Sequence, residues 1–315
     1  MKLIFALSKH NLNLSKAEVL SIFPGKSKLV NNLLFLDSRK TYFRRLAYTK
    51  KVYQHLFTCT RATLTMALKK FDWNKHYSHS FCIRSFGKDH VKDREIADTV
   101  WDYLKKPVVN LVKPKTEFHF YFDKNQVYCG LLIDKMQEPF EKRKAHLRPI
   151  LHPSSLHPRL ARCLVNLTGA ISTQSTIVDP FCGTGGILIE AGLMDFRVIG
   201  YDIDDLMLKF ADKNLKHFKV KYQLRKKDST TLRIGYRYIV ADLPYAISTK
   251  KVDLEKLYSA FLKNLKKTLK VRAVIGFPSF IKHKKLIKTA KLKLKAEYSY
   301  YLHKSLSKTI CVIEP

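Results

Sequence analysis

The chain has 315 residues, 46% hydrophobic and 27% charged, which is enough for two domains with separate cores and unlike a disordered or fibrous chain. Fifty-nine Lys and Arg against twenty-six Asp and Glu leave a formal net charge of +33. Such a charge repels itself unless a polyanion compensates it, so nucleic acid is the expected partner; an anionic membrane surface is the runner-up, disfavoured because the basic residues run along the whole chain rather than gathering on one terminal helix.

The expected organisation is residues 1–55 as an N-terminal piece, 56–135 as a second piece, 136–157 as a linker and 158–315 as a catalytic domain. The first piece opens with a strand candidate at Lys2–Leu7, too short an apolar run for a signal peptide. A helix over Ser15–Phe23, with Ser15 as its N-cap, and a strand at Leu33–Leu36 follow. The second piece offers a strand at Ser80–Phe86, a helix at Arg94–Lys105 and a hairpin of Glu117–Phe122 and Val127–Ile133. Arg84 and Lys88, interleaved with Phe81 and Phe86, have the make-up of a basic strand on which bases stack; an ordinary half-buried strand has the same pattern. Met136–Pro158, rich in Pro, His and charge, reads as the linker.

Beyond it strands and helices alternate, the pattern of a mostly parallel α/β sheet. Helices are expected at Pro158–Ala170, Gly186–Met194, Asp205–Phe218 and Leu254–Thr268, with a basic helix from Phe280. Strands are expected at Thr176–Pro180, Arg197–Asp202, near Lys221–Leu224, at Arg237–Ala241 and at Val271–Phe277. Two closing strands lie so close together that they form an antiparallel hairpin. No stretch approaches the ~20 apolar residues of a membrane span. The six cysteines are scattered with no C-x-x-C pair, so a cytoplasmic, reducing setting is expected.

In open α/β sheets ligands sit beyond the carboxyl ends of the strands. Three acids fall there: Asp179, opening the run Asp179-Pro180-Phe181-Cys182-Gly183-Thr184-Gly185-Gly186; Asp202; and Asp228. Glycines let backbone approach a ligand, and the acid ending the second strand suits a ribose diol. A dinucleotide fingerprint fails, because Leu188 stands where the third glycine belongs. Asp179 repels a pyrophosphate but suits a cation, so S-adenosylmethionine, with its ammonium, sulfonium and ribose, fits better. The fourth strand ends in Asp242-Leu243-Pro244-Tyr245. An acceptor carboxylate and neighbouring backbone carbonyls there can hold an exocyclic amine and aim its nitrogen at a sulfonium methyl, while a tyrosine ring stacks the base.

Residues from about 148 onward resemble the methyltransferase domain of the archaeal and eukaryotic tRNA guanosine N2-methyltransferases that act at position 10. The resemblance rests on the run from Arg148 to Arg162, on Asp179–Gly186 and on Asp242–Tyr245. Phe81–Phe86 and the Phe118–Ile133 hairpin are similar to the ferredoxin-like piece plus THUMP domain of such enzymes. It implies a Rossmann-like domain, a mostly parallel sheet with a terminal antiparallel strand, behind an α+β RNA-binding half. It also implies a tRNA substrate bound near the acceptor end, S-adenosylmethionine as methyl donor, and a monomer with room for a small activator subunit.

On this reading Asp242, Leu243, Pro244 and Tyr245 are catalytic. The cofactor set is His152, Ser154, Asp179, Pro180, Phe181, Cys182, Gly183, Thr184, Gly185, Asp202, Ile203, Asp228 and Ser229, with Arg84 and Lys88 for RNA. Leu243 stands where the family usually has a first proline. No metal is expected, since His76-x-x-His79-x-x-Cys82 lacks a fourth ligand. Another tRNA guanosine, an adenine N6 amine, or a non-enzymatic RNA-binding protein with a relict cofactor fold are the rival readings.

Overall fold

A computed structural model of the protein describes residues 1–152, 155–245, 254–303 and 306–315. The chain divides into two compact units: Met1–Lys9, Gly25–Arg44 and Thr49–Met136; and His10–Pro24, Arg45–Tyr48 and Gln137–Pro315.

The first unit is built on one seven-stranded sheet. Its strands are β1 (Lys2–Leu7), β2 (Ser27–Val30), β3 (Leu33–Asp37), β4 (Thr49–Thr60), β5 (Phe81–Phe86), β6 (Thr116–Asp123) and β7 (Gln126–Lys135), in the order β2-β3-β1-β4-β7-β6-β5. The boundary expected at 55/56 falls inside β4, a twelve-residue strand that pairs with β1 on one side and β7 on the other. Helices α2 (Leu64–Lys70) and α3 (Asp93–Trp101) cover one face, where Phe81, Ile83, Phe118, Phe120 and Trp73 form the core. The alternation of β5 turns Arg84 and Phe86 to the other face. There Phe86 stacks on Tyr121 with centroids 4.9 Å apart, and the Lys51 ammonium lies 4.8 Å from the Phe86 ring. Arg84 donates to the Leu111 carbonyl, and the Lys88 carbonyl accepts from Arg61.

Helix α1 (Leu12–Ile22) groups with the second unit, not with the strands that flank it in sequence. Its cap is Asn11, whose side chain accepts from the Leu14 N–H; Ser15 lies inside the helix and bonds back to the Asn11 carbonyl. Glu18 bonds it to other parts of that unit. Fully buried, it accepts from the Ala47 and Tyr48 N–H groups at 2.7 and 2.8 Å and from Asn166 at 2.7 Å. Burial pushes its carboxyl upward, and these three hydrogen bonds pull it back.

The second unit carries α4 (Pro158–Leu167), β8 (Thr176–Asp179), α5 (Gly186–Gly192), β9 (Arg197–Asp202), α6 (Asp205–His217), β10 (Tyr222–Lys226), β11 (Tyr236–Asp242), α7 (Leu254–Thr268), β12 (Leu269–Pro278), α8 (His283–Thr289), β13 (Lys293–His303) and β14 (Leu306–Glu314). The sheet order is β10-β9-β8-β11-β12-β14-β13. The first five strands of this order are parallel, and β14 runs antiparallel to both its neighbours, as the terminal hairpin led us to expect. It is inserted between β12 and β13, so Lys308 at its start pairs with Pro278 at the carboxyl end of β12.

The Pro-rich stretch read as a linker is packed. Arg143 and Arg162 reach the fully buried Glu190 of α5 at 2.6 and 3.0 Å, and both guanidinium groups lie over the Phe140 ring. Three apposed charges and an aromatic floor satisfy one another where water is excluded. Among the described residues no helix is long and apolar enough to cross a membrane.

Candidate active site

The strand order switches between the parallel neighbours β8 and β11: from β8 the chain adds β9 and β10 on one side, and from β11 it adds β12 on the other, which places the ligand crevice beyond Asp179 and Asp242. The turn after β8 is held by backbone. The Phe181 N–H donates to Asp179 at 3.0 Å and the Cys182 N–H to the Tyr201 carbonyl at 2.9 Å. Gly185 caps α5 with φ of 83°, a left-handed conformation that a side chain would strain. Asp202 at the end of β9 is clamped by two amides, Gly183 at 2.8 Å and Asp204 at 3.0 Å. Thus the Asp179–Gly185 turn and Asp202 come together as one rigid piece. Thr184 is buried and meets Ser155 at 3.0 Å, and Pro180 lies inside the turn.

Ile203 is 67% exposed, an apolar side chain left open directly beside Asp202. Asp228 caps the short turn Ser229–Thr231, accepting from the Thr230 N–H and hydroxyl, each at 2.8 Å; Ser229 is buried beneath it. His152 is half-buried, and Ser154 lies outside the described residues. His157 accepts from the Arg159 N–H as the cap of α4. Cys182 is buried with its thiol pushed up by burial, a packing residue and no nucleophile.

Asp242 ends β11, paired with Gly276 of β12. A Cβ on Gly276 would stand 2.8 Å from an Asp242 carboxylate oxygen, so the glycine makes the room the carboxylate occupies. Leu243 is fully buried in the core of this unit, and its N–H donates to the Gly276 carbonyl at 3.0 Å. A proline could not make that bond. The Pro244 carbonyl accepts from the Tyr258 hydroxyl at 2.5 Å. Tyr245 turns its hydroxyl toward the Asp242 carboxylate at 3.4 and 3.5 Å. The loop rigidity expected of a second proline is here supplied by a buried leucine, a backbone bond and Tyr258.

Electrostatically the crevice is acidic. Burial pushes Asp179 well above the carboxylate range, and the charges of Asp202 and Asp242 push it further. Asp202 is raised by burial and partly restored by its amide donors. Burial raises Asp242 too, against the pull of Lys308. A cationic ligand relieves all three at once.

Three contributors escape sequence reasoning. Lys308 sets its ammonium 2.7 and 2.5 Å from the two Asp242 oxygens. Asn214 of α6, fully buried, donates to the Thr184 and Ile150 carbonyls and accepts from the Ile150 N–H, tying the segment before α4 to the glycine turn. Tyr258 is the third. None carries a local motif; only Asn214, a polar residue on an otherwise apolar helical stripe, leaves a trace in the sequence. His76 stacks on Phe71 and Cys82 is buried in β5; among the described residues no group of three or more His, Cys, Asp or Glu is placed to hold a metal.

Residues 145–308 match the family described as the RMKL-like methyltransferase domain. The chain is 34% identical over 284 residues to the tRNA (guanine(10)-N2)-dimethyltransferase of Methanothermobacter thermautotrophicus, covering 86% of this chain and 84% of that protein. The enzyme of the same name from Pyrococcus abyssi is 36% identical over 65% of this chain and 64% of its own length. In fold the protein is similar to TrmN from Thermus thermophilus, with a TM-score of 0.53 and 18% identity over 100% of this chain and 99% of that one. The structure of SMU.472 complexed with SAH aligns with a TM-score of 0.51 and 13% identity, over 99% and 97% of the two chains. With a family match over half its length and a relative this similar across most of both chains, the protein belongs to the family of RMKL-like methyltransferases that includes the tRNA (guanine(10)-N2)-dimethyltransferases.

Proposed function

We propose that the protein transfers a methyl group from S-adenosylmethionine to the exocyclic N2 amine of a guanosine in tRNA, at position 10. The observation that carries the reading is Asp242-Leu243-Pro244-Tyr245 at the end of β11, across the switch point from the acidic turn after β8. The donor fits that turn on charge: buried carboxylates raised by their surroundings gain most from a cation.

In this mechanism Asp202 takes the ribose hydroxyls, held in line by the Gly183 and Asp204 amides. Ile203 covers one face of the adenine, and Asp228 with Ser229 reads its edge. The turn from Asp179 to Gly185, with Pro180, Phe181, Cys182 and Thr184 setting its shape, takes the methionine end together with His152 and Ser154. When bound, the donor supplies a methyl already activated on a sulfonium. The protein therefore has to position and desolvate, not to activate. Asp242 and the Leu243 carbonyl accept the two N–H bonds of the amine and turn its lone pair toward the methyl. The Pro244 carbonyl, engaged by Tyr258, secures the loop, and Tyr245 stacks the extruded base.

The first unit is proposed as the THUMP-type part that binds tRNA. The basic, aromatic face with Arg84, Phe86, Lys51 and Tyr121, and Lys88 beside it, supports the reading. The test is nucleoside mass spectrometry of a tRNA transcript incubated with enzyme and donor, with guanosine or inosine at position 10. A methyl on N2 is expected with guanosine and none with inosine, which lacks the amine. A methyl appearing elsewhere, or equally on the inosine transcript, refutes the assignment.

A further inference from the structure

Lys308 is one of seventeen Lys and Arg after residue 249, a basic run whose bulk faces solvent, yet its side chain is only 3% exposed. Antiparallel insertion of β14 brings it to the carboxyl end of β12, opposite Pro278, and so to the mouth of the crevice. Its ammonium touches both oxygens of Asp242 and lies 4.6 Å from the centroid of the Tyr245 ring. One cation thus contacts both the group assigned to the target amine and the ring assigned to the base. A buried lysine is costly unless paired, and here the pair is the motif itself.

Resting on the role proposed for Asp242, we propose that Lys308 is a positioning residue for methyl transfer: from behind the carboxylate it keeps Asp242 ionised and oriented as an acceptor, and it fixes the Tyr245 ring through a cation–π contact. The groups facing Asp242 among the described residues support this. Tyr245 stands on its own loop; α7 contributes Tyr258, whose hydroxyl is pushed up by burial and by the Asp242 charge; β8 contributes Asp179, whose carboxyl the Asp242 charge pushes up; β12 contributes only Gly276. Lys308 is the one cation in this set. Without it, burial acts unopposed and the carboxylate takes up a proton at higher pH. A protonated Asp242 offers a donor where the amine needs an acceptor.

The experiment is the pH profile of single-turnover methyl transfer at saturating donor for the wild type, Lys308→Met, Lys308→Arg and Asp242→Ala, with donor affinity by calorimetry. In Lys308→Met the acidic limb should move up by about one pH unit or more, so that at a given pH on that limb the rate falls about tenfold and recovers as pH rises. Donor affinity should hold within about twofold, and Lys308→Arg should keep the limb near its wild-type place. A rate that falls by the same factor at every pH, or donor affinity lost in step, overturns the proposal in favour of a structural pair. If Lys308→Met does not fold, the difference infrared spectrum between the wild type and Asp242→Asn decides: an ionised carboxylate band at neutral pH is expected, and a protonated-acid band overturns it. Full activity in Asp242→Ala would instead sink the role of Asp242 itself, so the two failures are distinct.

Discussion

Replacing Gly276 by alanine puts a methyl carbon 2.8 Å from an Asp242 carboxylate oxygen, the neighbouring backbone carbonyl of Ala241 being 3.9 Å away. An ordinary carbon–oxygen contact is longer by about half an ångström, so the carboxylate must give way. It cannot swing freely, since Lys308 holds both its oxygens and β11 is paired to β12 through this very position. A displacement of half an ångström to one ångström in a group that aligns a nucleophile costs on the order of ten- to a hundredfold in rate. The carboxylates proposed for the donor, Asp179 and Asp202, lie on β8 and β9 and are untouched by the change. Gly276→Ala should therefore lower single-turnover transfer by that factor while calorimetry finds donor affinity nearly unchanged. Thermal unfolding should show a folded protein. A folded variant with wild-type rate would mean that the position of Asp242 is not what limits transfer, and the reasoning would fail.

Leu243→Pro, which restores the sequence usual in the family, removes the N–H bond to Gly276 and a fully buried side chain; stability should fall by about 1–3 kcal/mol, measured by chemical denaturation. Asp202→Ala should weaken donor binding by about ten- to a hundredfold, and saturating donor should rescue much of the rate. Donor binding should release protons, because the raised carboxyls of Asp179 and Asp202 ionise when a cation arrives; affinity should then rise with pH up to their raised values, as calorimetry in buffers of different ionisation enthalpy would show. Affinity independent of pH through the acidic range would contradict the charge argument. If six to ten phosphates are neutralised, tRNA affinity should drop by about 10³–10⁵ between 50 and 200 mM salt, and a flat response would mean that the net charge of +33 serves another partner.

Much of the second unit was legible in the chain because each strand end carries its own local signal. Arg197–Asp202 and Leu254–Thr268 appear with the bounds their periodicity predicts, and Asp179, Asp202 and Asp242 fall at strand ends because hydrophobic runs stop there. The misreadings share a physical cause: contacts far apart in sequence. Strand β4 went unseen because its mixed polar pattern follows no clean alternation, and pairing on both edges makes it a strand regardless. Helix α1 sits between strands of the first unit in sequence, yet its buried Glu18 bonds it to Ala47, Tyr48 and Asn166. The linker reading followed proline and charge; buried ion pairs to Glu190 decided otherwise. Lys308 is one basic residue among many in the C-terminal stretch, and only the insertion of β14 between β12 and β13 reveals it at Asp242.

The central claim is that the carboxylate ending β11 acts on the target amine and not on the donor. Its most direct test is Asp242→Ala assayed twice on the same preparation, by calorimetry for S-adenosylmethionine and by mass spectrometry of a tRNA transcript after a single turnover. The account predicts donor affinity within about twofold of wild type and transfer lowered by a factor of a thousand or more, on the order of 4 kcal/mol of transition-state stabilisation. Transfer that persists, or donor affinity that collapses while transfer at saturating donor recovers, would contradict it.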